Sequence, residues 1–163
     1  MKTYQESADF IRERLCGRKP QVLMILGSGL GYLGDEVTDA VVISYDEIPH
    51  FRASTAPGHE GRLVCGMLAG KCVLVMQGRM HYYEGYTPAE IVYPIRVAKL
   101  LGALQMIITN ASGGVNEDFC AGDIMLIRDH IKLMGDSPLR GENLDAFGVR
   151  FPDMTYAYTP EFF

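Results

Sequence analysis

The chain has 163 residues, with 15 Lys+Arg against 20 Asp+Glu and a formal net charge of −5. A chain of this length buries roughly two thirds of its unfolded surface, so it needs neither disulfides nor a metal to fold. Apolar residues make up 48%, which excludes a disordered chain, and the negative charge argues against nucleic acid or an anionic membrane as the main partner while leaving room for a local basic pocket.

The opening MKTYQESADFIRERL carries early acids and lacks the apolar stretch of a secretory signal. Within it, residues 4–16 place Phe10, Ile11 and Leu15 among charges, the pattern of an amphipathic helix, and Gly17 is positioned to end it. The run VLMIL (22–26) then leads straight into Gly27, as expected of a strand buried on both faces. Further strands are predicted at 41–45, 62–68, 72–76, 106–110 and 124–128. Gly70 and Lys71 suggest a hairpin between 62–68 and 72–76.

Thr87, Pro88 and Glu90 make the clearest helix start, an N-cap, a first-turn proline and a capping box. Ile91, Ile95, Ala98 and Leu101 give the apolar face and Gly102 closes it. Pro94 lies inside that pattern and predicts a kink, or a short first turn and a restart. Strand, helix, strand is a βαβ unit with parallel pairing. No apolar run approaches the ~18 residues of a membrane span. With no linker or repeat in the sequence, residues 1–163 read as one α/β domain. Cys16, Cys65, Cys72 and Cys120 form no CxxC pair and no metal-spaced cluster. Cys65 and Cys72 are expected as core thiols, and a reducing cytoplasm is the simplest compartment.

Glycine numbers 18 of 163, about 11% against a usual ~7%, and the excess gathers at strand ends. GSGLG (27–31) follows the first strand, PGHEG (57–61) precedes the third, GRMH (78–81) follows the fourth and NASGG (110–114) follows 106–109. Ligands of open α/β sheets collect outside the carboxyl ends of strands. GSGLG lacks the third glycine of a dinucleotide site and the Gly-Lys-Ser/Thr of a nucleotide P-loop. It is either a plain turn or a backbone cradle for a phosphate, and a serine between glycines favours the cradle. Arg79 is a surface cation or the fork that grips a tetrahedral oxyanion. His59 is a loop-fixing hydrogen bonder or a ligand. Tyr82, Tyr83 and Tyr86 are a core wall or a contact for a sugar or base.

Taken together, five stretches resemble the trimeric purine nucleoside phosphorylases: ILGSGLG (25–31), STAPGHEGRLVCG (54–66), MQGRMHYYEGY (76–86), TNASGGVN (109–116) and AGDIMLIRDHIKLMGDSPLRG (121–141). They run in family order across essentially the whole chain. HYYEGY and TNASGG point to this branch rather than to the related methylthioadenosine phosphorylases. The resemblance implies a mixed, largely parallel central sheet flanked by helices, incomplete on its C-terminal side. It implies phosphorolysis of purine (deoxy)ribonucleosides, a pentosyl transfer of purine salvage that yields free base and (deoxy)ribose 1-phosphate. Inorganic phosphate is then a co-substrate, and no cofactor and no metal is expected.

Carried over residue by residue, Ser28, Arg79, His81 and the backbone of Ala111 would hold phosphate, with His59 flanking and gating them. Tyr83 would contact the ribose, and Glu84 would orient His81 as a carboxylate fixes an imidazole. Phe147 would cover a neighbouring subunit's sugar, making a homotrimer part of the site. The family's purine pocket lies beyond Phe163, so these residues amount to the phosphate half and part of the sugar half. Two readings stay open, a portion of a working phosphorylase and a shortened, catalytically inactive homologue that binds phosphate or a protein partner.

Overall fold

The computed structural model describes residues 1–52 and 60–162. It divides into two compact units, Met1–Ala111 and Ser112–Phe163. The first contains α1 (Lys2–Arg14), β1 (Val22–Leu26), β2 (Thr38–Ser44), β3 (Arg62–Leu68), β4 (Lys71–Gln77), α2 (Pro88–Ile91), α3 (Tyr93–Leu100) and β5 (Gln105–Ile108). Its five strands form one sheet in the order β2-β3-β4-β1-β5. β1 lies between β4 and β5 and is parallel to both, whereas β2, β3 and β4 pair antiparallel in succession. The mixed sheet is therefore present, and its parallel part is the trio β4, β1 and β5.

Local chemistry accounts for these elements. α1 closes as Cys16 (φ 50°) and Gly17 (φ 86°) turn into the left-handed region. The β3–β4 hairpin turns through Ala69 (φ 48°) and Gly70 (φ 75°), the doubly positive geometry that matches strand twist. At the second helix, the Thr87 hydroxyl accepts from the Glu90 N–H at 3.3 Å and the Glu90 carboxylate accepts from the Thr87 N–H at 3.0 Å. The proline pattern resolves into the short first turn and restart: α2 stops at Ile91, and Pro94 sits in the first turn of α3, where its missing donor costs nothing.

Strand alternation divides the core between the two faces of the sheet. Leu23, Ile25, Leu63, Leu74 and Met76 pack on one face with Ile11 and Leu15 of α1 and Val97, Ala98 and Leu101 of the α3 region. The opposite face carries Val22, Leu26, Val64, Val73 and Val75, capped by Val37 and Leu33. β1 is buried on both faces as its apolar run predicts. Ser7 ties the helical layer together, donating to the Pro49 carbonyl at 2.6 Å and lying 2.8 Å from the Tyr93 hydroxyl. Burial pushes the Cys65 thiol up to about 12, with Cys72 adding to the rise, so Cys65 is an inert core thiol. No helix among the described residues is long and apolar enough to cross a membrane.

Two predicted strands need correction. The strand expected at 106–110 runs from Gln105 to Ile108, and pairing with β1 ends at the Thr109 N–H, which donates to the Ile25 carbonyl at 3.0 Å. The one expected at 124–128 is absent, since no strand forms among the described residues of Ser112–Phe163. A strand exists only by pairing its backbone groups, and Ile124, although apolar, is fully exposed at 100%. That unit is held by turns, among them Asp145–Phe147 and Pro160–Phe162, and by Arg150 donating to the carbonyls of Leu139 and Gly141. β5 forms an open sheet edge, with Met106, Ile107 and Ile108 each about half exposed.

Leu74 lies in β4 with neighbours on both sides and is 1% exposed. Leu74→Ala should lower unfolding stability by about 2–5 kcal/mol, the range for a large-to-small change in a packed core. Urea titration followed by circular dichroism measures it.

Candidate functional site

Parallel pairing brings the carboxyl ends of β4, β1 and β5 to one sheet edge. Each then enters a glycine-bearing loop: Gly27–Ser28–Gly29 after β1, Gly78–Arg79 after β4, and Asn110–Ala111 after β5. Thr109 joins all three. Its hydroxyl accepts from the Gly27 N–H at 2.8 Å and donates to the Ile25 carbonyl at 3.3 Å. Its carbonyl accepts from the Arg79 guanidinium at 2.8 Å. Gly27 is required by this approach, because a Cβ there would stand 2.4 Å from the Thr109 carbonyl oxygen. Ser28 therefore follows a residue bonded to Thr109, Arg79 touches Thr109 directly, and Ala111 lies two positions beyond it. Ser28 and Ala111 are exposed and Arg79 is half-buried, so polar groups face solvent above an apolar floor.

The Arg79 turn has its own supports. Gly78 takes φ 110°, a conformation suited to glycine, and its carbonyl accepts from the buried Tyr45 hydroxyl at 2.7 Å. Burial raises the Tyr45 phenol far above its ordinary range, so it stays protonated as a donor. Two residues past Arg79, one Glu84 carboxylate oxygen accepts from the His81 backbone N–H and lies against its ring Nδ1, each at 2.7 Å. The Glu84 side chain is 3% exposed and that of His81 19%. This local pairing fixes the ring's orientation. Tyr83 stacks on that ring with centroids 4.8 Å apart and planes 19° apart, while its own surface stays largely exposed at 77%.

Ser28, Arg79, His81, Glu84, Tyr83 and Ala111 thus belong to one unit, Met1–Ala111. His59 lies outside the described residues. Phe147 ends the turn Asp145–Phe147 in the other unit and is half-buried there. Thr109 heads the TNASGGVN stretch and Tyr45 closes the strand expected at 41–45, but neither carries a site role in the sequence reading. The available signal for Thr109 is a hydroxyl residue closing an apolar strand; for Tyr45, a lone phenol in a segment too short to show periodicity. A cleft of about 200 Å³ elsewhere in the unit is lined by Tyr4, His50, Arg52, Met80, Glu90 and Tyr93. Its charges already pair, Arg52 with Glu90 and His50 with Glu6, and none of the candidate residues lines it.

Residues 21–162 match the Phosphorylase superfamily. The chain is 54% identical over 155 residues to purine nucleoside phosphorylase 1 of Geobacillus stearothermophilus, covering 95% of this chain and 56% of that protein. It is 51% identical over 158 residues to the Bos taurus purine nucleoside phosphorylase, covering 95% and 54%. Among solved structures, isoform 2 of the Schistosoma mansoni purine nucleoside phosphorylase, in complex with cytosine and ribose-1-phosphate, superposes with a TM-score of 0.91 at 43% identity. That match covers 98% of this chain and 57% of the other. The chain therefore spans about half the length of these relatives.

Thr109→Val should leave the Gly27 N–H without its acceptor and cost about 1–3 kcal/mol, the penalty for an unsatisfied, partly buried donor. Thr109→Ser keeps the hydroxyl and should recover most of that loss. Thermal unfolding of the two variants side by side measures the difference.

Proposed function

The chain belongs to the Phosphorylase superfamily, and from that premise we propose that its strand-end loops form the phosphate half of a purine nucleoside phosphorylase site. The intact enzyme transfers the pentosyl group of a purine (deoxy)ribonucleoside to inorganic phosphate, releasing the base and (deoxy)ribose 1-phosphate. Similarity at about half identity to purine nucleoside phosphorylases supports this over a homologue that only binds. The observation that carries it is Thr109, bonded at once to the Gly27 amide that precedes Ser28 and to the Arg79 guanidinium.

The chemistry follows from that arrangement. A glycosidic bond to a purine breaks through an oxocarbenium-like state. An anion held beneath the anomeric carbon stabilises the growing positive charge and then forms the new C–O bond as the purine departs with the bonding pair. The protein's task is to keep phosphate oriented and close. Arg79 would supply charge-assisted bonds, Ser28 its hydroxyl and Ala111 its N–H. His81, turned by Glu84, would close the anion site, and His59 would gate it. Tyr83, stacked on His81, would offer its exposed face to the ribose. None of these roles calls for a metal or a cofactor. In the intact enzyme Phe147 would cover a neighbour's sugar, which makes a homotrimer the working assembly. Four unpaired cysteines fit a reducing cytoplasm.

Isothermal titration of the chain with inorganic phosphate tests the reading. Arg79→Ala should weaken binding by about 1.5–3 kcal/mol, the range for a charge-assisted hydrogen bond. Equal affinity in the variant would make Arg79 an ordinary structural residue.

A further inference from the structure

Gln77, the last residue of β4, is a buried amide at 3% exposure, one of few polar side chains in the core. It shares the sheet face of Val73 and Val75, two and four positions earlier. There both N–H donors and the oxygen of the amide are engaged. Nε2 donates to the Gly31 carbonyl at 2.7 Å and to Asp35 Oδ1 at 3.1 Å. Oε1 accepts from Arg62 Nε at 2.7 Å, and Arg62 closes the ring by donating to Asp35 Oδ1 at 2.9 Å. Gly34 packs so tightly that a Cβ there would lie 2.7 Å from the Gln77 amide carbon.

The position of these bonds matters more than their number. The loop after β1 is fastened at its start by Gly27 N–H on Thr109 and at its end by Gly31 C=O on Gln77. Ser28 lies between the two fastenings. Gln77 is also two residues before Arg79 on the same strand exit. We propose that Gln77, held by Arg62 and Asp35, is a positioning residue that sets the separation of the Ser28 loop from Arg79. The assignment rests on the phosphate reading above and extends it to a group that would not touch the anion. An amide is required because its NH2 meets two acceptors, the Gly31 carbonyl and the Asp35 carboxylate, while its oxygen meets a cation. No carboxylate or apolar side chain meets both demands.

The test is titration of the 163-residue chain with inorganic phosphate, each variant assayed well below its own unfolding midpoint. Gln77→Met keeps length and volume but removes the bonds, and should weaken phosphate binding about tenfold, the worth of about one net hydrogen bond. Asp35 is exposed, so its variants test the same ring where folding is not at stake. Asp35→Ala should weaken binding about threefold, and Asp35→Asn, which retains an acceptor for the amide, should restore it. A purely structural role would lower the unfolding midpoints and leave affinity in place. Wild-type binding matched within about twofold by Gln77→Met overturns this assignment alone. If Gln77→Met does not fold, Asp35→Ala binding like wild type overturns it. A wild-type chain that binds no phosphate overturns the reading of the site and this assignment with it.

Discussion

Thr109 is where three strand ends become one surface. Parallel strands place their carboxyl ends side by side but do not fix the loops that leave them, which are free to splay. Here one residue supplies both halves of the fastening. Its hydroxyl takes the Gly27 amide and its carbonyl takes the Arg79 guanidinium. The contact is possible only because residue 27 lacks a Cβ. The glycine after β1 and the threonine after β5 are therefore one feature divided between distant parts of the sequence.

The remaining supports repeat that logic on both faces of the sheet. Tyr45 belongs to the core beneath the helices and holds the Gly78 carbonyl. Gln77 belongs to the other face and holds the Gly31 carbonyl. In each case a buried side-chain donor satisfies a loop carbonyl that would otherwise face an apolar layer, where an unpaired acceptor is costly. The polar edge of the sheet is thereby rigid from below while its upper surface stays open.

Much of this was legible in residue order. β1 and β3 fall where apolar runs placed them, and the Thr87–Glu90 box with Pro94 describes the divided helix. Glycines after strands located the loops. Legibility ended where a partner distant in sequence decides the outcome. Residues 124–128 have a strand's composition, but composition does not supply the ladder that makes a strand. Thr109 keeps its N–H on the Ile25 carbonyl, but nothing in residue order shows that its hydroxyl takes the Gly27 amide across the sheet. Gln77 follows the strand expected at 72–76, and only the fold shows that it faces the core. The His81–Glu84 pair, which the resemblance implies, forms between residues only three apart.

A chain with net charge −5 is an unpromising anion receptor by its overall field, and one of its acids, the buried Glu84 side chain, stands close to Arg79 in sequence. The geometry shows how that charge is confined. One Glu84 oxygen is held by the His81 backbone N–H and against the His81 ring, turned away from solvent, so its field is met at the first contact. On the proposed reading, affinity for phosphate then comes from aimed donors rather than from surplus positive charge. It would be sensitive to small displacements of those donors and comparatively indifferent to charges elsewhere on the surface, which salt screens. Such a site depends on the rigidity of its strand ends, which is why an amide and a phenol buried beneath it bear on its chemistry as directly as the arginine at its surface.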